Sequence, residues 1–244
     1  MDTLKQMNFK KLSIASVLLT VLSGCQVDAT STLSVQEQPT KKATTGSFGD
    51  QGDGTYINPI LNADYPDSDI EQVGDTYYMI TSKQHMSPGM PILKSKDMVN
   101  WENVGHAFSS LSWAPEYNRD RMNGYSFGVW AGDLAYHEGK WYVYQIDYQH
   151  GLMVTTADSI EGPWSEPIMM LPKADVLDDP AVYWDEETHE AYIIVNSGTK
   201  QKSADNTIEG NENRIYRMSW DGTKILDEGK LVYTGMGAEA AKIY

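Results

Sequence analysis

Apolar and polar residues alternate in short runs over residues 76–81, 140–146, 190–195 and 214–220. Alternation with period two marks strands with two unlike faces, and after Thr55 almost no useful window holds the spacing of an amphipathic helix. Turn-forming residues punctuate the runs at Gly74-Asp75, Glu138-Gly139, Asp185-Glu186-Glu187 and Asp221-Gly222. The pattern predicts an all-β chain.

Aligning the turns exposes a weak internal repeat. Asp67, Ala131 and Asp179 each stand three residues before a strand apolar residue, Ile70, Leu134 and Val182 in turn. A turn and a Tyr-rich strand follow each of them. Two units then close alike, with Ser95-Lys96-Asp97 leading to Trp101 and Thr156-Ala157-Asp158 leading to Trp164. Units recur roughly every 50–65 residues, the size of a four-stranded propeller blade with insertions. A fourth unit is expected to begin at Glu239, close to the last residue, Tyr244. The prediction is a β-propeller, represented by about three blades plus the start of a fourth, as the front part of a longer protein. A sandwich produces similar strand spacing but gives no reason for acids at matching positions.

The N-terminal part reads differently. Lys5, Lys10 and Lys11 precede an uncharged run over residues 12–23, too short to span a bilayer as a mature helix and suited to a secretory leader. Leu22-Ser23-Gly24-Cys25 resembles the lipobox of bacterial lipoproteins, which implies acylation of Cys25, anchoring in the cell envelope and, with no Asp at position 26, an outer-membrane address. Residues 26–54 are rich in Ser, Thr, Gln and Gly and poor in large apolar side chains, and read as a flexible tether ahead of a domain over residues 55–244. Asp50-Gln51-Gly52-Asp53-Gly54 lacks the further acid that a metal loop needs and reads as linker. The net charge of −15 repels nucleic acid and anionic membrane surfaces. A single Cys rules out a disulfide framework, and the five histidines show no zinc-binding spacing.

The candidate chemistry lies in carboxylates. Asp64, Asp67 and Asp69 crowd into one short stretch ahead of a strand, where an unpaired buried charge is costly. In a propeller the first strand of each blade faces the central channel, so Asp67, Asp179 and Glu239 would converge on one funnel. Carboxylates in differing environments are what glycoside hydrolysis requires, one ionised to take a proton from water and another protonated to supply the leaving oxygen. Each alone also reads as a strand-start or edge acid. Trp130 is a candidate platform for a sugar ring and equally a core residue; Trp101 and Trp164 read as packing, and Asp133 as structural.

At these residues the chain resembles glycoside hydrolase family 43 over 52–244. Asn58-Pro59-Ile60-Leu61, Tyr65-Pro66-Asp67 and Val73-Gly74-Asp75-Thr76-Tyr77-Tyr78-Met79 look like the family's opening. Gly128-Val129-Trp130-Ala131-Gly132-Asp133, Leu177-Asp178-Asp179-Pro180 and Glu239-Ala240-Ala241-Lys242-Ile243-Tyr244 look like its three later motifs, in the same order. The resemblance implies a five-bladed propeller and an inverting glycosidase with Asp67 as general base, Glu239 as general acid and Asp179 as the carboxylate that tunes the acid's pKa. It places base and acid roughly 6.5–9.5 Å apart. Two departures matter. Ser68 stands where the family usually has Pro, so Asp69 competes with Asp67 for the base, and the family's Gly-Pro-His after the acid reads Ala240-Ala241-Lys242. The resemblance implies no required cofactor, although a structural calcium ion is expected in a full-length protein whose fifth blade supplies a His.

The segment over residues 82–92 looks like that of family members acting on α-L-arabinofuranosyl or β-xylosyl units. The expected activity is therefore exo removal of such pentoses from plant-type polysaccharide or oligosaccharide. A catalytically inactive carbohydrate-binding propeller is the alternative, and a non-functional fragment a third reading. The sequence leaves oligomeric state open.

Overall fold

The structure, a computed structural model, describes residues 48–85, 89–117, 126–173, 176–198, 211–235 and 237–244. The leader with Cys25, residues 26–47 of the tether and the centre of the 82–92 segment lie outside the described residues.

Among the described residues twelve strands form three four-stranded antiparallel sheets, and within each sheet consecutive strands pair. The first sheet holds β1 (Asp69–Val73), β2 (Thr76–Ile80), β3 (Gly89–Ser95) and β4 (Glu102–Phe108). The second holds β5 (Val129–His137), β6 (Lys140–Asp147), β7 (Gly151–Ala157) and β8 (Ile168–Pro172). The third holds β9 (Val176–Asp185), β10 (Glu190–Gly198), β11 (Asn211–Met218) and β12 (Lys230–Gly235). Among the described residues the one helical element is a 3-10 turn at Pro115–Tyr117. The first strands neighbour one another, β5 lying against both β1 and β9, so the sheets are blades around an axis lined by their first strands.

The core is the filling between blades. Ile80, Met90 and Ile92 of the first blade meet Leu134, Trp141 and Val143 of the second. Tyr142, Tyr144 and Ile146 of the second meet Ile193, Val195 and Met218 of the third. Period-two geometry sends Trp141 and Val143 to one neighbour and Tyr142, Tyr144 and Ile146 to the other. Strand β6 is consequently buried on both faces from Trp141 to Asp147, so the alternation expected over residues 140–146 does not divide a buried face from an exposed one. Gly132 permits the close approach: a Cβ there would lie 2.5 Å from the Met90 methyl and 2.7 Å from the Tyr144 carbonyl oxygen. The Tyr144 hydroxyl donates to the Gly222 carbonyl oxygen across the blade boundary at 2.9 Å. Trp164 packs against the first core cluster, as expected.

The tether boundary needs correction. Asp50 pairs with Tyr56 in a β-bridge, and the Gly49 amide donates to the Ile60 carbonyl at 3.3 Å. The Asn100 amide donates to Asp50 at 3.0 Å. Residues 48–54 therefore belong to the fold. The physical reason is that polar composition does not prevent a segment from pairing its backbone with an ordered neighbour, which composition alone cannot reveal.

Candidate active site

The site is built where each blade's inner strand begins. In β9, Asp178 lies opposite Asn196 and Ala181 opposite Ile194, so the inner strand carries one residue more than its partner. The same surplus occurs in β5, between Val129 opposite Asp147 and Gly132 opposite Gln145. Such a bulge bends the strand and re-aims a side chain. Asp179 sits in the bulge with φ 47°, and Pro180 beside it has no N–H to leave unpaired. Asp67 and Ala240 adopt the same left-handed conformation, with φ 50° and 53°. Left-handed backbone at non-glycine residues is uncommon and concentrates at functional sites.

The three expected carboxylates gather at this end of the axis. Asp67 and Asp179 both line a small cavity of about 120 Å³, together with Gly132, Ala240 and Lys242. Asp67 is exposed and accepts one hydrogen bond from the Ser82 hydroxyl at 2.7 Å. Asp179 is half-buried, and its Oδ2 accepts the Ala240 N–H at 2.9 Å. Burial pushes the Asp179 carboxyl above the usual carboxylate range; the Ala240 N–H opposes this, and the nearby charges of Glu239 and Asp67 add to it. Glu239 is exposed, and its Oε1 accepts from the Asn211 amide at 3.1 Å.

The repeat register differs by one residue from the sequence reading. The left-handed position in the fourth unit is Ala240, three residues before Ile243, and Glu239 precedes it. Glu239 thus stands level with Trp130 and Asp178, one step before the positions of Ala131 and Asp179. The signal was present in the chain, since three residues after Glu239 comes Lys242 rather than an apolar residue.

The structure separates Asp67 from Asp69. Asp69 Oδ1 accepts from the Lys242 ammonium at 2.8 Å and Oδ2 from the Leu134 N–H at 2.8 Å. Both acids line the cavity, but both Asp69 oxygens are engaged, one of them by an ammonium, whereas Asp67 accepts the neutral Ser82 hydroxyl on Oδ2. Asp133 repeats the arrangement one blade on, taking Lys242 at 2.8 Å and the Val182 N–H at 3.2 Å. Burial pushes the Asp133 carboxyl up and Asp69 adds to this, while Lys242 draws it down. Burial also works against the ammonium, but the two carboxylates outweigh it and hold the Lys242 pKa above the usual lysine value. Asp133 is structural, as its sequence position suggests. The residues on this part of the axis do not fit a calcium ion, because the ammonium already supplies the cation between the two acids.

Trp130 is half-buried and stacks on Tyr148 at 5.2 Å and 23°, and Tyr148 stacks in turn on Phe127 at 5.7 Å. Ala131, next to Trp130 in the chain, lines the cavity, whereas Trp130, Tyr148 and Phe127 are not among its lining residues. Sequence reading missed Asp178, whose carboxyl is pushed up to about 7 by burial, with the charges of Asp179, Glu239 and Asp67 adding and the Asp179 N–H opposing. It also missed Asn211, which only the strand register brings to Glu239.

The comparisons with known proteins agree with this geometry. The family model for glycosyl hydrolases family 43 matches residues 56–244. The chain is 78% identical over 232 residues to a beta-xylosidase of Formosa agariphila, covering 94% of this chain and 39% of the relative. It is 39% identical over 118 residues to a non-reducing end alpha-L-arabinofuranosidase of Bacteroides ovatus, covering 47% of this chain and 22% of that protein. The solved structure of a xylan beta-1,4-xylosidase from Bacillus halodurans superposes with a TM-score of 0.60 at 29% identity, covering 73% of this chain and 34% of the other. The chain therefore spans well under half the length of each of these three proteins. Three four-stranded blades among the described residues, a cavity shared by carboxylates from separate blades and a family match over residues 56–244 lead to one assignment: the chain belongs to glycosyl hydrolases family 43.

Proposed function

We propose that the chain carries the catalytic carboxylates of an exported glycosidase that removes β-xylosyl or α-L-arabinofuranosyl units from plant-type polysaccharides or oligosaccharides with inversion. The observation that carries this reading is the shared cavity of Asp67 and Asp179, with Glu239 held beside Asp179 through the adjoining Ala240 N–H. Asp67 takes a proton from a water molecule, whose oxygen bonds to the anomeric carbon on one face of the sugar. The glycosidic C–O bond breaks as Glu239 delivers its proton to the leaving oxygen on the other face. Asp179 orients the acid-bearing segment by accepting the Ala240 N–H. Trp130 supports the apolar C–H face of the sugar. The names of the relatives support a pentose, and the lipobox-like Leu22-Ser23-Gly24-Cys25 supports a lipid anchor on Cys25 in the bacterial cell envelope, at the outer membrane.

The test uses protein expressed from its complete coding sequence, with nitrophenyl β-xyloside and nitrophenyl α-L-arabinofuranoside as substrates. Release of pentose should fall by at least about 10³-fold in Asp67→Ala while binding of xylose oligomers persists. Full turnover by that variant would remove Asp67 from the reaction. Proton NMR of the first-formed sugar should show the inverted anomer. Cys25→Ala should move the protein from the membrane to the soluble fraction.

A further inference from the structure

The axis just below the three carboxylates carries a cluster that the reaction above does not use. Lys242, which stands where the family's His is expected, bridges Asp69 of the first blade and Asp133 of the second with two hydrogen bonds of 2.8 Å. The two acid side chains are 15% and 10% exposed, and each also binds the backbone N–H of the next blade. They form a rigid receptacle, and the ammonium is its plug.

We propose that Lys242 is the positioning residue for the general acid: its grip on Asp69 and Asp133 fixes the segment over residues 237–244 on the axis and thereby aims Glu239 at the glycosidic oxygen. The inference rests on the assignment of Glu239 as that acid. Residues 237–244 carry no strand in the described chain. Among the described residues four neutral-donor contacts touch the segment: the Ala238 N–H to the Gly235 carbonyl at 3.2 Å, the Ala240 N–H to Asp179 at 2.9 Å, the Asn213 amide to the Ala238 carbonyl at 3.4 Å and the Asn211 amide to Glu239 at 3.1 Å. The two bonds from Lys242 are charge-assisted and reach acids only 15% and 10% exposed, which makes them the stronger restraint. They also join the fourth unit directly to the first and second blades, on which Asp67 and Trp130 are carried.

Leaving-group dependence tests this, because a misplaced acid matters only where the leaving oxygen needs a proton. In the complete protein, Lys242→Met should lower kcat about 100-fold on a pentose disaccharide and less than about fivefold on a dinitrophenyl pentoside, with KM within about twofold on both. Equal losses on the two substrates, or no loss on the disaccharide, would overturn the proposal. Should the single variant fail to fold, Lys242→Met combined with Asp69→Asn and Asp133→Asn removes the buried charges together with their partner. That variant should fold and keep the selective loss; full recovery of disaccharide cleavage would overturn the proposal. Glu239→Gln separates the two layers of reasoning. If it slows both substrates equally, or the unmodified protein cleaves neither, the proposed function fails. If Glu239→Gln is selective and the Lys242 variants are not, the role of Lys242 alone fails.

Discussion

Gathering several carboxylates at one end of an axis destabilises the folded chain as they ionise, and Asp178 offers the cleanest measure of it. Its side chain is half-buried on β9, and its pKa is pushed from 3.8 to about 7, first by burial and then by Asp179, Glu239 and Asp67. The folded state therefore holds the proton more tightly than the unfolded state. The stability linked to that proton is fully present below the unfolded value of 3.8 and is lost as pH rises through about 7. At 1.36 kcal/mol per pKa unit, the loss between about pH 5 and pH 8 comes to about 2 kcal/mol. Asp178→Asn removes the titration while keeping the oxygen that accepts the Asp179 N–H at 3.0 Å. Urea unfolding of both forms across that range should show the variant gaining on the original by about 2 kcal/mol as pH rises. Glu71, also pushed up to about 7, is present in both forms and cancels in the comparison. A difference between the two forms that stays flat with pH would refute the reasoning, since Asp178 would then titrate as it does unfolded.

Two further outcomes follow from the packing and the mouth of the site. Gly222 has φ 68°, and a Cβ there would lie 2.5 Å from the Tyr144 hydroxyl and 3.0 Å from the Trp184 ring. Gly222→Ala should therefore cost about 1–3 kcal/mol in urea unfolding, and an unchanged midpoint would contradict the interblade contact. Trp130→Ala should raise KM for a pentoside about tenfold, or about 1.4 kcal/mol, with little change in kcat, and an unaltered KM in steady-state assays would make Trp130 a packing residue only.

The sequence by itself determined the all-β class, the blade repeat and the identity of the acidic residues. Period-two alternation and turn pairs are local properties, and each turn at Gly74-Asp75, Glu138-Gly139 and Asp221-Gly222 lies where a strand ends. It could not choose between Asp67 and Asp69, because two carboxylates so close together on one strand start look alike until their partners are known. The tertiary structure gives the two different surroundings, with Lys242 and the Leu134 N–H on Asp69 and the Ser82 hydroxyl on Asp67. It likewise moved the repeat position from Glu239 to Ala240, brought Asn211 to Glu239 and drew residues 48–54 into the fold. The physical reason is the same in each case. Electrostatic and hydrogen-bond energies depend on distances across blades, which strand register and bulges set, and neither is written in the alternation of any one strand.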